Sequence, residues 1–418
     1  MIYDVIIIGA GASGLFAGAL YPGKVKGLVM EKTKSPGNKL LMSGGGQCNL
    51  TRGGSIKGFL AHYGENGRKI RYALYKFNNM AVRNFFEAHG VSMIEREDGK
   101  VFPASLKAKD VLSLLVKLCS ENGFEFAYNS PVDVITCNEE NARGIRTFTV
   151  IGPAGTYKCK KLIVACGGSS YPATGSDGSI LNVLRNLNIE IVNPKPALVP
   201  IHVNDYPYEA LAGISFNDAR VSILSQDKIA SADRKYHKTV IAQVNDDLLL
   251  THRNFSGPAI LNISRHADIS HHLQICYYTL KDPKTILTGL KNRASGSQQQ
   301  LLTFLCDYLE LPKRFLEILC LRAKVDPCAK IYQINDRQLK AIIGLLTADT
   351  YKISGIGSYN IAMATAGGVA LTEVNPKTME SEKYPGLYFA GEILDVDGDT
   401  GGYNLQFAFS SAYLCANK

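Results

Sequence analysis

The chain has 418 residues, 46% hydrophobic and 20% charged, too many for one ordinary core and typical of a globular protein of two or three domains. No apolar run approaches the roughly 18 residues needed to span a bilayer, and the N-terminus reads as a core strand instead of a removable leader, so a cytoplasmic location is expected. A net charge of +9 could draw nucleic acid, but Lys and Arg read as spread along the chain instead of clustered with aromatics; the expectation is a mildly basic enzyme with a polyanionic cofactor, and no nucleic-acid or membrane partner.

Ten cysteines, at 48, 119, 137, 159, 166, 276, 306, 320, 328 and 415, form no CxxC pair and stand beside no His cluster. Reduced, mostly buried thiols are therefore expected, with no metal site.

The chain opens on a β-branched run, Met1–Ile8, broken by Gly9, Ala10, Gly11, Ala12, Ser13 and Gly14. A helical stretch (Leu15–Leu20) and a second apolar run (Val25–Met30) lead to Glu31 and Lys32. Strand, glycine turn, helix, strand and acid in that order form the dinucleotide fingerprint in its required context. Gly9 permits the tight turn, Gly11 lets backbone approach a pyrophosphate, and Gly14 lets helix and strand pack closely. The helix N-terminus offers unpaired N–H groups and a positive dipole end to phosphate. Glu31 is placed to accept from a ribose diol and would repel a 2′-phosphate, so NADP is disfavoured while NAD and FAD both stay open.

The loop Gly37–Thr51 carries Lys39 and then Ser43, Gly44, Gly45, Gly46, Gln47, Cys48 and Asn49. Three consecutive glycines give a backbone able to lie against a planar or phosphate-bearing ligand, and Lys39 can offset phosphate charge. Cys48 has no second Cys nearby to resolve it, so it reads as a packing or hydrogen-bonding thiol in preference to a redox one. Apolar residues at three- and four-residue spacing predict helix from about Lys69 to His89. Val101–Ser105 reads as extended, and Lys109–Glu121 as a helix closed by Asn122 and Gly123. Phe124–Thr136 and Thr147–Ile151 are strand-like. Lys161–Gly168 is an apolar strand whose end, with Ala165 and Gly167, falls at the ligand-facing edge of such a sheet.

From Ile189 the pattern changes. Leu198–Val203, Ile214–Leu224 and Thr239–Val244 read as strands, and Thr285–Leu290, Gln298–Glu310 and Pro312–Ala323 as short helices. Near Ile353 the α/β pattern returns. The expected architecture is α/β: a discontinuous nucleotide-binding domain from residues 1–190 and 350–418, interrupted by an insert at 191–349. The β part of the insert covers about 191–270 and 325–349, and its helical part about 271–324. His252 in the insert could act as an acid or base, but a satisfied structural histidine is the plainer reading.

The far end supplies the deciding segment. Gly386–Ala390 is an apolar strand ended by Gly391 and Glu392, and Gly401, Gly402, Tyr403, Asn404 and Leu405 open a helix through Ser410. Such an acid can bind a ribityl hydroxyl, and such a helix start can place N–H groups at the flavin N1–C2=O edge, favouring the anionic reduced ring. Asp395, Asp397 and Asp399 alternate, but without the glycine and terminal Glu of a calcium loop, so flavin is favoured over metal. Of the two dinucleotides, FAD is the one that needs this second half.

These segments together resemble one bacterial flavoprotein family, whose members are labelled YhiN-like, BaiN-like or aminoacetone oxidase family FAD-binding enzymes. The resemblance is carried by DVIIIGAGASGL (Asp4–Leu15), KLLMSGGGQCNLT (Lys39–Thr51), VFPAS (Val101–Ser105), CGGSSYPATGSDG (Cys166–Gly178), PALVP (Pro196–Pro200), THRNFSGPAIL (Thr251–Leu261), TAGGV (Thr365–Val369) and GEILDVDGDTGGYNLQ (Gly391–Gln406). It implies a Rossmann-like FAD-binding domain of the two-dinucleotide-binding-domain flavoprotein type, with an inserted β-barrel-like and small helical domain, and FAD-dependent oxidoreductase activity as oxidase or reductase. It also implies FAD contacts from Gly9, Gly11, Gly14, Glu31, Lys39, Asn49, Val132, Glu392, Asn404 and Leu405, with Val132 acting through its backbone at the adenine. The chain departs from the family at Gln47, where Arg is usual, which removes a cation beside the flavin, and at Ala364-Thr365-Ala366, which replaces an Ile-Thr start.

The expected reaction passes hydride between a small substrate, an amino-ketone or a steroid-like enone, and flavin N5, in a cleft between the FAD domain and the insert. No side chain is assigned as catalytic. The rival readings are a reductase served by transient NAD(P)H or oxygen, an RNA-binding or RNA-modifying flavoprotein, and a redox sensor without turnover. No second GxGxxG is present, which counts against a dedicated NADPH domain.

Overall fold

The computed structural model describes residues 2–138, 146–227 and 237–417; Met1, expected at the head of the first strand, lies outside them. The β-branched run forms strand Ile2–Ile8, with Val5, Ile6 and Ile7 fully buried, as befits a parallel strand covered on both faces. It pairs in parallel with Gly27–Met30 on one side and Gly155–Val164 on the other. Phe124–Ala127 extends the sheet beyond Gly27–Met30. Leu387–Phe389, from the far end of the chain, joins the C-terminal half of Gly155–Val164 in parallel register. Both chain ends therefore contribute to one doubly wound sheet. The N-terminal half of Gly155–Val164 turns antiparallel onto Thr147–Gly152, which pairs with Val134–Asn138.

Helix Ala12–Ala19 packs on helix Tyr403–Ala416, with Phe16 and Phe409 ring centroids 4.6 Å apart. The latter helix runs past the expected end at Ser410, because the Ser410 and Ser411 hydroxyls donate to their own helix, to Gln406 O (2.9 Å) and Phe407 O (2.7 Å), and do not divert the backbone. The expected helix from Lys69 to His89 is two helices, Arg71–Lys76 and Asn79–Ala88. They divide where Asn78 accepts from Ala81 N (2.9 Å) and caps the second.

The chain forms two compact units, Met1–Ala197 with Tyr359–Lys418, and Leu198–Ser358. The sequence pattern sets these boundaries at 190/191 and 349/350; strand Ile191–Ala197 pairs with Ala364–Val369 and so stays with the first unit. Within the second unit, Ile201–Val203, Phe255–Ser256, His237–Leu250, Ser215–Asp227, His272–Cys276 and Asp349–Ile356 close an antiparallel barrel in that order. Residues 325–349, expected as part of the β region, instead contain helix Asp336–Ala348. Asn335 and Gln338 form its capping box, and Leu339, Ile342, Ile343 and Leu346 form its buried stripe. No helix among the described residues is long and apolar enough to cross a membrane.

The barrel is pinned by a buried acid. Asp349, its side chain only 1% exposed, takes a two-pronged contact from Arg322 (2.6 and 2.8 Å). The hydroxyls of Tyr208 (2.9 Å), Tyr277 (3.2 Å) and Tyr351 also donate to it. Burial pushes all three phenols far above their ordinary range, so they stay donors. Removing the guanidinium leaves a buried carboxylate with neutral partners alone. Arg322→Ala should therefore destabilise this unit by about 3–5 kcal/mol, read as a lowered urea midpoint; a loss below about 1 kcal/mol would mean that the tyrosines suffice to satisfy Asp349.

Candidate cofactor and active site

The glycine turn is built where a side chain cannot fit. Gly9 has φ +100°, and a Cβ there would stand 2.6 Å from Ala165 O. A Cβ on Gly14 would press into Gly9 O, while one on Gly11 would meet nothing within 4 Å. Gly9 and Gly14 thus lock the turn against strand and helix, and Gly11 leaves open space at the start of helix Ala12–Ala19. That helix has no side-chain cap and no acid in its first turn, so its N–H groups remain available to an anion. Glu31, buried at 8% exposure, accepts from Ala10 N (2.9 Å) through Oε2 and from Thr33 N and Oγ1 (2.8 Å each) through Oε1. The acid expected to meet a ribose also braces the turn itself. Its own carbonyl accepts from Ser130 N (2.9 Å), which brings the loop bearing Val132 to the same end of the sheet.

The second half assembles around Glu392. Its Oε2 accepts from Lys39 Nζ (2.5 Å), and its Oε1 from Ser170 Oγ (2.9 Å) and Thr365 N (2.7 Å); Lys39 also donates to Ser170 Oγ. A Cβ on Gly167 would lie 2.8 Å from Ser176 Oγ and 3.8 Å from Glu392 Oε2, and one on Gly391 would lie 2.6 Å from Ser13 Oγ. Three separated segments thus converge on one carboxylate.

Gly44, Gly45 and Gly46 all have positive φ (56°, 65° and 85°) and continue from Ser43 as one curved, largely exposed backbone. Asn49, in the amide orientation that satisfies its neighbours, donates to Thr51 O (2.9 Å) and Val101 O (3.2 Å) and accepts from Gly402 N (3.1 Å). This ties the glycine loop to the start of helix Tyr403–Ala416. Asn404 grips the backbone of Gly398 through both amide atoms (2.8 and 2.9 Å). These residues suit FAD: open glycine backbone and an uncapped helix start at one end, and a polar cluster with a second helix start at the other.

Some expected members play other parts. Lys32 turns to Asp177 (2.5 Å) and Ser179 Oγ (3.1 Å). Leu405 packs against the hydrophobic core. Cys48 is fully buried, which pushes its thiol up to about 12. His252 lies exposed in the Thr251–Asn254 turn of the second unit. The cation expected to be missing at Gln47 is supplied from elsewhere: Arg96 Nη2 donates to Gln47 Oε1 (2.7 Å) while its guanidinium lies 4.1 Å over the Phe102 ring.

Sequence reasoning missed Ser170, Thr365, Arg96 and a His–Asp pair. His62 Nδ1 lies 3.0 Å from Asp399 Oδ2, its carbonyl accepts from Asp399 N (2.9 Å), and its ring stacks on Tyr403 at 4.1 Å and 17°. Ser170 and Thr365 stand inside quoted motifs, beside the glycines that drew attention. His62 and Arg96 carry no local signal.

A family model described as the HI0933-like protein Rossmann domain matches residues 3–418. The chain is 32% identical over 416 residues to a ribosomal RNA dihydrouridine synthase of Escherichia coli K12, covering 99% of this chain and 97% of that protein. It is 28% identical over 422 residues to a 3-dehydro-bile acid delta(4,6)-reductase of Clostridium scindens, covering 98% and 97%. Its fold is similar to that of 3-ketosteroid delta1-dehydrogenase from Sterolibacterium denitrificans, with a TM-score of 0.52 at 11% identity over 100% and 99% of the two chains.

Two outcomes follow from this geometry. Gly14→Ala should yield a colourless protein that stays colourless on incubation with FAD, since the new methyl group displaces the turn; a yellow variant would show that the turn tolerates it. Burial keeps the Cys48 thiol protonated and out of reach of reagent, so iodoacetamide at pH 8 with peptide mapping should label exposed Cys328 and leave Cys48 unmodified. Equal labelling of the two would contradict the burial.

Proposed function

This chain belongs to the HI0933-like family of Rossmann flavoproteins and is an FAD-dependent oxidoreductase, and we propose that it saturates a carbon–carbon double bond conjugated to a carbonyl. The observation that carries the reading is the His62–Asp399 pair beside the flavin-side helix, because such a reduction needs a proton delivered as well as a hydride. The names of the two relatives agree in chemistry: making dihydrouridine from uridine and reducing a delta(4,6) ketone both saturate a conjugated alkene. Oxidation of an amino-ketone has no comparable support.

When bound, FAD supplies hydride transfer at N5. The chain's own residues divide the remaining work. Gly11 and the start of helix Ala12–Ala19 would hold the pyrophosphate, Glu31 would take the ribose, and the backbone near Val132 would receive the adenine. Glu392, with Lys39 and Ser170, would meet the polyol, while the glycine run Gly44–Gly46 and the start of helix Tyr403–Ala416 would hold the ring. Asp399 accepts from His62 Nδ1 and orients the ring, so that the imidazolium form can pass its Nε2 proton to substrate and become the neutral Nδ1–H tautomer. His62 is 40% exposed at its side chain, so water can return that proton.

Anaerobic mixing tests this reading. NADH or NADPH should bleach the flavin, and a uridine-containing RNA or a dienone steroid should then restore its colour. Colour restored by neither class would sink the proposal. His62→Asn should slow that restoration by about 10²–10⁴-fold, and a wild-type rate in the variant would remove His62 from the proton path.

A further inference from the structure

Charge is not spread evenly along the chain, as the composition suggests. Between Arg52 and Arg83 stand seven Lys or Arg residues and a single acid, Glu65, so 32 residues hold a net +6 of the chain's +9. Lys57, Arg68, Lys69, Arg71 and Lys76 are exposed, and none of them forms an ion pair among the described residues. Two large aromatic side chains stand among them, Tyr72 and Tyr75, 42% and 46% exposed. On helix Arg71–Lys76, Arg71 lies one turn from Tyr75 and Tyr72 one turn from Lys76, so these four share a solvent-facing side. Ala73 and Leu74 are buried on the opposite side. The same helix packs against helix Tyr403–Ala416, whose first residue carries the His62 ring. A basic surface interleaved with exposed rings therefore lies on the outer face of a helix that packs against the same C-terminal helix whose start carries His62.

We propose that Lys69, Arg71, Tyr72, Tyr75 and Lys76 form a docking surface for single-stranded or looped RNA. Phosphates meet the cations, and unstacked bases lie on the two tyrosine rings. Charge alone would suit any polyanion, whereas the ring pair adds a partner for flat, apolar faces. The inference rests on the reading above in one respect: RNA brings a uracil ring, a conjugated alkene, to the same site. Docking itself is measured without turnover.

The test uses the full-length, FAD-loaded protein and a fluorescently labelled uridine-rich hairpin, followed by anisotropy between 50 and 200 mM KCl. The log of the affinity should fall linearly with the log of salt, by about 0.7 per phosphate neutralised. Arg71→Glu with Lys76→Glu should weaken binding at least about tenfold and lower that slope by about 1.4. Tyr72→Ala with Tyr75→Ala should weaken it about ten- to hundredfold with the slope unchanged. Wild-type FAD content and far-UV circular dichroism establish that each variant is folded. RNA affinity untouched by both double variants overturns the proposal, as does binding to phosphatidylserine vesicles with no affinity for the hairpin. Intact docking with a flavin that no substrate recolours would instead sink the reductase reading alone.

Discussion

Two buried or half-buried carboxylates organise the site, and each is nearly saturated by donors from elsewhere in the chain. Glu31 takes its bonds from Ala10 and Thr33, and Glu392 from Lys39, Ser170 and Thr365. A carboxylate withdrawn from water needs such partners, because leaving it unpaired costs several kcal/mol. The Lys39–Glu392 pair spans 353 positions of sequence, so it can form only if the two chain ends share a sheet, as the pairing of Leu387–Phe389 with Gly155–Val164 ensures. Fold and site are thus one constraint: the sheet brings the segments together, and the charges require them to stay there.

The same logic explains which parts were legible in the sequence. Gly9, Gly14 and Glu31 act within one strand–helix–strand unit, where spacing along the chain maps directly onto spacing in space. The start of helix Tyr403–Ala416 is legible for the same local reason. Ser170, Thr365, Arg96 and His62 enter through long-range packing, with no period or punctuation to mark them. Gln47 illustrates the difference: a missing arginine reads as a lost cation, yet Arg96 arrives from a neighbouring turn and lies against Phe102. The helix at Asp336–Ala348 is hard to read from sequence for another reason. It runs directly into strand Asp349–Ile356 with no turn residue between them, so a coarse reading merges the two.

The charge distribution shows how averaging conceals a surface. Spread over 418 residues, +9 is unremarkable for an enzyme that binds a polyanion; confined largely to 32 residues beside exposed tyrosines, it becomes a feature with a direction. Solvent-facing lysines alone would be a solvated face of no consequence. Exposed rings are different, since each leaves apolar area in water at a cost of roughly 25 cal/mol per Å² that a stacked partner would remove.

His62 and the basic helix belong to one continuous stretch, and this links recognition to chemistry. Tyr63 donates to Tyr403 O (2.7 Å) and His62 stacks on the Tyr403 ring, while helix Arg71–Lys76 leans on the body of the same C-terminal helix. A polymer held at Tyr72 and Tyr75 would therefore bear on the helix whose first turn is proposed to border the flavin ring, and on the segment Leu60–Arg68 that carries His62. A small steroid would meet His62 without engaging helix Arg71–Lys76. The two substrate classes thus differ in what they would ask of the fold: both would draw on His62, and only the polymer would also use the exposed face of helix Arg71–Lys76.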